Sequence, residues 1–315
     1  MKKFFISIFK YCFFSNYSKE EIYYLEKIKN NDSGAMYNLG VLYSNQKKYD
    51  LAEKYYLMAI KENHTRAMNN LGVLYDNQKK YDLAEKYYLM AIKNNDISSM
   101  YNLGLLYDNQ EKYDLAEKYY LIAIKNNSSD AMNNLGTLYY DQEKYDLAEK
   151  YYLMKIKGND GDSNVMHNLG LLYYHQKKYD LAKKYYLMAI KNNNIDAVYD
   201  LGLLYSNQKK YDLAEKYYLM AIKENHIGAI NNLGLLYGNQ KKYDLAKKYF
   251  LLGVKNNDID AMYNLGLLHY NQERYELAEK FLKIAAEQGD KDAKSLLEDI
   301  KIEIKNKISK EAIIS

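Results

Sequence analysis

The stretch NQKKYDLAEKYYLMAIK stands at residues 45–61, again at 77–93 and again at 207–223 without a change, and near-copies fill the gaps between. An active site needs its reacting groups once, whereas a packing surface recurs wherever the same contact recurs. The identical copies therefore point to a packing unit, and the period of that unit decides how the rest of the chain is read.

Leu-Gly pairs set the period: Gly40, Gly72, Gly104, Gly136, Gly170, Gly202, Gly234 and Gly266 follow one another at 32 residues, with one step of 34. Eight repeats result, at 33–64, 65–96, 97–128, 129–162, 163–194, 195–226, 227–258 and 259–290. Met36, Leu39, Gly40 and Tyr43 fall at three- and four-residue spacing, and Ala52, Tyr56, Ala59 and Ile60 do the same, so each repeat reads as two helices. Asp32, Asp96, Ser128, Asp162, Asn194 and Asp258 stand where first helices begin and can accept from the free amides of the first turn. Asn63 and its equivalents follow the second helix, where Asn tolerates the left-handed conformation that ends it. The nearly continuous apolar run YYLMAI is expected to be buried on more than one side, between its own partner helix and the next repeat. The fold class that follows is all-α, an α-solenoid (superhelix) of eight helical hairpins whose core forms only by stacking.

Met36-x-x-Leu39-Gly40-x-x-Tyr43, followed by Ala52-x-x-x-Tyr56 and Ala59, resembles the tetratricopeptide repeat (TPR), with Met, Ile or Val for the usual Trp and no closing Pro. The junction from Ala59 to Gly72 is two residues shorter and resembles that of the Sel1-like repeat, as does Ala285-Ala286-Glu287-Gln288-Gly289-Asp290. The resemblance covers residues 33–290. It implies a non-enzymatic scaffold for peptides or partner proteins, with first helices lining a concave groove and second helices forming the convex wall. The groove residues would then be Tyr37, Asn38, Arg66, Asn70, Tyr101, Asn102, Asn134, His167, Asn168, Tyr199, Asn232, Tyr263 and Asn264, a field of tyrosine and asparagine.

Charge narrows the partner. The net charge is +4, yet the only cation of the eight first helices is Arg66, against Asp76, Asp108, Asp130, Asp141, Asp196, Asp200 and Asp260. A phosphate-tracking groove needs Lys or Arg along its floor, so no nucleic-acid partner is expected. A clamp for an acidic tail would rest on Arg66 with Asn70 and is disfavoured for the same reason. The matching ligand is a neutral to mildly basic extended peptide, its backbone met by Asn amides and its apolar parts by Tyr rings. The same asparagines could instead bond neighbouring helices.

Catalysis, metal and cofactor find no support. His167 and His175 share a helix at eight residues, about 12 Å of rise, too far to ligate one ion. The only cysteine is Cys12, which excludes an intrachain disulfide and fits a reducing, cytoplasmic setting. A monomer is expected.

Three regions depart from the period. In MKIKGNDGDSNVMHNLG, Lys155 takes an Ala position, Gly158 and Gly161 enter the junction, and two residues are added; the reading is a hinge or notch, or a drifted repeat. A lysine there has to snorkel outward or force the helices apart. Residues 1–32 read as a degenerate amino-terminal half-repeat, with Ser18 and Glu21 as a capping box. Residues 1–15 are open to three readings: a decayed helix, a membrane or partner contact, or a signal peptide. Residues 291–315 read as a capping helix and tail, with a stripe of Ala293, Leu297, Ile300, Ile304 and Ile308. The alternative function is a structural assembly protein that self-associates or docks on a membrane through its convex face or apolar amino terminus.

Overall fold

The structure, a computed structural model, describes residues 17–158 and 162–314, with side chains as far as residue 304. The reading of residues 1–15, Gly161 and the side chain of Ile308 therefore lie outside the described residues. Among the described residues there are eighteen helices and no strand. Helix α1 (Lys19–Ile28) is followed by the hairpins α2/α3 (Ser33–Asn45, Tyr49–Lys61), α4/α5 (Thr65–Asn77, Tyr81–Lys93), α6/α7 (Ile97–Asn109, Tyr113–Lys125) and α8/α9 (Ser129–Asp141, Tyr145–Gly158). Then come α10/α11 (Ser163–His175, Tyr179–Lys191), α12/α13 (Ile195–Asn207, Tyr211–Lys223), α14/α15 (Ile227–Asn239, Tyr243–Lys255), α16/α17 (Ile259–Tyr270, Tyr275–Glu287) and α18 (Lys291–Ile314). The chain divides into two compact bodies, Met1–Gly158 and Asn159–Ser315. No described helix is long and apolar enough to cross a membrane.

Each hairpin closes on a ring laid over a glycine. A Cβ on Gly40 would lie 2.6 Å from Cδ1 of Tyr56, and Gly72, Gly104, Gly136, Gly170 and Gly202 stand in the same relation to Tyr88, Tyr120, Tyr152, Tyr186 and Tyr218. Ala52 and Ala59 are fully buried on either side of Tyr56, so the second helix approaches its partner through small residues and one ring. Stacking joins the hairpins: each second helix packs on the first helix of the next repeat within its body. Consecutive first helices also touch, and no comparable contact joins consecutive second helices among the described residues. First helices therefore lie on the inner side of each body and second helices on the outer side.

The turns are built alike. At the junction between repeats, Asn63 has φ 57, its N–H donates to Ile60 O at 2.9 Å, and the N–H of His64 donates to Ala59 O at 3.1 Å. This is the pair of reversed hydrogen bonds that ends a helix on a left-handed residue. The tip of each hairpin uses the same device with an unexpected residue: Lys47 has φ 58, and Glu111 and Glu143 do likewise. Neither Lys nor Glu favours that region, and the turn is closed by backbone bonds, Lys47 N–H donating to Ser44 O and Lys48 N–H to Tyr43 O, both at 2.9 Å.

Three expectations are refined. Within YYLMAI, Tyr55, Tyr56 and Ala59 are buried, but Leu57, Met58 and Ile60 are only half-buried, because the helix keeps one side to solvent. Lys155 neither exposes itself nor stands alone: it is 5% exposed, and its Nζ reaches Asp130 Oδ1 at 2.9 Å and Ser129 Oγ at 3.1 Å in the first turn of α8. Its stem fills the small-residue position while its head joins a carboxylate at the rim. Gly158 ends α9, and the division between the two bodies falls beside it. At the chain ends, Ser18 and Glu21 form the capping box of α1, and Ala293 and Ile300 of α18 are fully buried against α17.

Candidate functional site

The inner face of each body carries a hydrogen-bonded ladder. Its rungs join a residue of one first helix to a residue 33 positions on, in the next first helix. Asn70 Nδ2 donates to the Tyr37 hydroxyl at 3.3 Å, Asn134 to that of Tyr101 at 3.0 Å, and Asn232 to that of Tyr199 at 2.7 Å. Where the earlier residue is Asn, the rung is an amide pair: Asn102 donates to Asn69 and Asn264 to Asn231, both at 2.9 Å. Where it is His167, the partner is Asp200, with Nε2 donating to Oδ2 at 2.6 Å. Asn168 is engaged as well. Of the residues expected in the groove, Asn70, Asn102, Asn134, Asn232 and Asn264 thus have structural bonds to neighbouring helices, the plainer of their two readings. Asn38 is exposed, Tyr263 half-buried, and Arg66 exposed in the first turn of α4.

Sequence reasoning left out two features. The first is an apolar row between the rungs: Val41, Val73, Leu105 and Thr137 in the amino-terminal body, and Leu171, Leu203, Leu235 and Leu267 in the other. All are half-buried except Leu235, which is 39% exposed. They follow Tyr37 by four residues, which puts them on the same helical face, and that spacing was the available signal. The second is the reach of the buried second-helix tyrosines. The Tyr120 hydroxyl donates to Asp108 Oδ2 at 3.1 Å, Tyr152 lies 3.1 Å from Thr137 Oγ1, and Tyr56 and Tyr218 meet Ser44 and Ser206. These rings cross the hairpin core and place a hydroxyl under the inner face. Burial raises their pKa, for Tyr152 to about 12, so they act only as neutral hydrogen-bonding groups. The sequence carries a trace of this link: Phe250 replaces Tyr in the repeat where Gly238 offers no polar partner.

Two histidines also find a use as helix caps. Nδ1 of His64 accepts from the Ala67 N–H and Nδ1 of His226 from that of Ala229, both at 3.2 Å. They complete the series of Asp, Ser and Asn caps, and their rings stack on Tyr37 and Tyr199 at 4.7 and 4.4 Å. Burial and the nearby Arg66 lower the pKa of His64, which suits a ring nitrogen that must accept. Among the described residues, no cluster of His, Cys, Asp and Glu could hold a metal ion.

The outer wall is regular. Rings stack in pairs, Tyr43 on Tyr55 and Tyr75 on Tyr87, both at 5.6 Å, with lysines over the faces. Glu53, on the preceding second helix, faces the hydroxyl of Tyr75, and Glu85 faces that of Tyr107.

Models of the tetratricopeptide repeat match residues 34–66, 65–96, 101–163, 167–229 and 231–293. No curated protein matches the sequence. Among solved structures, the chain is similar to a Sel1 repeat protein from Oxalobacter formigenes, with TM-score 0.65 and 19% identity, covering 88% of this chain and 90% of that one. It is similar to a protective antigen of uropathogenic Escherichia coli with an SLR fold, with TM-score 0.63 and 20% identity, over 89% of this chain and 66% of that one. Yeast Tom70 gives TM-score 0.58 at 16% identity, over 88% of this chain and 61% of its own length.

Proposed function

Because the chain belongs to the tetratricopeptide repeat family, whose repeats build protein-interaction scaffolds, we propose that it is a non-enzymatic scaffold holding an extended peptide or partner protein on its inner face. The observation that carries this reading is the division of labour between the helices. Second helices repeat nearly unchanged, whereas first helices vary at the positions that face inward, such as Ser44, Asp76, Tyr140 and Gly238. A rigid frame that displays varied side chains suits recognition. The ladder gives a selected rather than a general role to the groove residues: Asn amides engaged with Tyr hydroxyls fix the rings, and the half-exposed Val and Leu row offers apolar contact. The partner is a neutral to mildly basic segment, and the setting is the reducing interior of a cell.

The test is a pull-down from the native cell with Tyr37, Tyr101, Tyr199 and Tyr263 changed together to Ala, folding being followed by circular dichroism. Loss of partners from a folded variant is expected, and unchanged partners would sink the reading. One observation favours assembly through the outer wall instead: Leu51, Leu83, Leu115 and Leu147 are all exposed there at the same position. Light scattering decides, since a monomer without lipid association removes that alternative.

A further inference from the structure

The inner face of the amino-terminal body has a chemistry that the other body lacks. Asp76 and Asp108 occupy the same place in the last turns of α4 and α6, and Asp141 ends α8, one ladder step beyond Asp108. Asp76 and Asp108 are half-buried and Asp141 exposed; desolvation raises the pKa of each, and the Asp141 charge adds to that effect on Asp108. Asp108 accepts from Tyr120, but among the described residues no Lys or Arg forms an ion pair with any of the three. In the other body the place of Asp76 and Asp108 holds Tyr174, Ser206, Gly238 and Tyr270, that of Asp141 holds His175, Asn207, Asn239 and Asn271, and the ladder carboxylate Asp200 is bonded to His167.

Exposed rings accompany these carboxylates. Tyr81 and Tyr113 follow Asp76 and Asp108 by five residues and are 40% and 43% exposed. At the equivalent places Tyr145, Tyr179 and Tyr275 lie against Tyr140, Tyr174 and Tyr270, at ring distances of 6.0, 5.9 and 5.8 Å. An aspartate in place of that tyrosine sets a carboxylate instead of a second ring beside the exposed Tyr81 and Tyr113, with Val73 and Leu105 as an apolar floor. A cation with a flat or apolar body complements this unpartnered face: a guanidinium can lie on the ring while pairing with the carboxylate, and a lysine stem can run along the floor. Packed helices lie about 8–10 Å apart, a distance that an extended chain crosses in about three residues of roughly 3.3 Å each.

We propose that the inner face of the amino-terminal body binds an extended segment of a partner protein bearing Lys or Arg at every third residue, the cations seated on Asp76, Asp108 and Asp141 and against the rings of Tyr81 and Tyr113. This rests on the inner-face reading above and names the class of partner.

The experiment measures fluorescence anisotropy on the full chain with four labelled peptides: tandem copies of Arg-Gly-Ser, of Gln-Gly-Ser and of Glu-Gly-Ser, and an isomer of the first with its arginines consecutive. The spaced Arg peptide should bind at least about tenfold more tightly than the other three, which is about 1.4 kcal/mol. Asp76→Asn, Asp108→Asn and Asp141→Asn together should abolish that preference, and Tyr81→Ala with Tyr113→Ala should weaken it severalfold. The same charge change on the outer wall, Asp82→Asn, Asp114→Asn and Asp146→Asn, should leave it intact. The inner triple should melt no lower than the parent, since partly buried carboxylates without a counter-charge cost stability at neutral pH. Equal binding of all four peptides, no binding of the spaced Arg peptide, or equal loss in the outer-wall variant would overturn the proposal. A native pull-down that needs the four groove tyrosines but ignores the inner aspartates would remove this inference and leave the scaffold reading standing; one that ignores both would remove both.

Discussion

Tyr101 and Tyr120 have ring centres 6.2 Å apart in one hairpin, yet different forces hold them. Tyr120, on the second helix, is fully buried against Gly104, whereas Tyr101, on the first, is half-buried and takes its place in a ladder through Asn134. The contrast holds along the chain. YDLAEKYYLMAIK recurs unchanged in α3, α5 and α13 because each copy meets the same glycine, the same alanines and the same neighbouring helix. First helices keep their core positions and vary where they face inward, and at the ladder position Tyr37, Asn69, Tyr101, His167, Tyr199 and Asn231 are each met by a residue 33 positions on. Shape conserves the one face, and pairing conserves the other.

The largest expected effect comes from breaking the buried side. Tyr120→Ala should cost about 3–5 kcal/mol, as for other large core rings, while Tyr101→Ala should cost about 1–2 kcal/mol for half a burial and one hydrogen bond. Urea unfolding of both variants measures the ratio, and equal losses would erase the distinction between the faces. Next is Gly104→Ala, whose Cβ would lie 2.6 Å from Cδ1 of Tyr120. The ring has to shift, at about 1–3 kcal/mol, although Ala is the better helix former. A stabilised variant would show that propensity outweighs packing at this position.

The ladder is sharpened by a double-mutant cycle. His167→Asn or Asp200→Asn alone should each lose about 1 kcal/mol, and the double variant, which recreates the amide pair of Asn69 and Asn102, should recover most of it. Additive losses would mean that the rung is only a proximity. The smallest effect concerns the His64 cap. Its native pKa is lowered from 6.5, so the folded state prefers the neutral ring. Its contribution is complete above the unfolded value, declines as pH falls through 6.5 towards the lowered native pKa, and is level below that. His64→Asn, copying the cap at Asn194, should remove this decline from thermal melts between neutral and mildly acid pH. An unchanged pH profile would count against Nδ1 as the acceptor.

Much of this could be read from the chain. Periodicity located the hairpins, the Asp, Ser and Asn caps and the Leu-Gly contacts, since these depend on residues close in sequence or on a contact repeated many times. Other features escaped for identifiable reasons. His64 and His226 cap through an acceptor nitrogen that exists only in one tautomer, so residue type alone does not announce it. Lys47 enters the left-handed region against its own preference, in a turn closed by backbone bonds to Ser44 O and Tyr43 O that residue type does not announce. Lys155 looked like a fault in the stack until the fold brought Asp130 to its head.

The sequence by itself determined that this protein is a stack of helical hairpins, because a 32-residue period of small, apolar and capping residues admits few other solutions. It also determined the scarcity of cations on the first helices, a property of composition that no folding can alter. Only the tertiary structure decided which inward residues are spoken for. Whether an asparagine meets a tyrosine hydroxyl, or an aspartate finds a counter-charge, depends on a neighbour 33 residues away whose distance is set by how one hairpin stacks on the next. Stacking joined His167 to Asp200 and, among the described residues, left Asp76 and Asp141 without a cation.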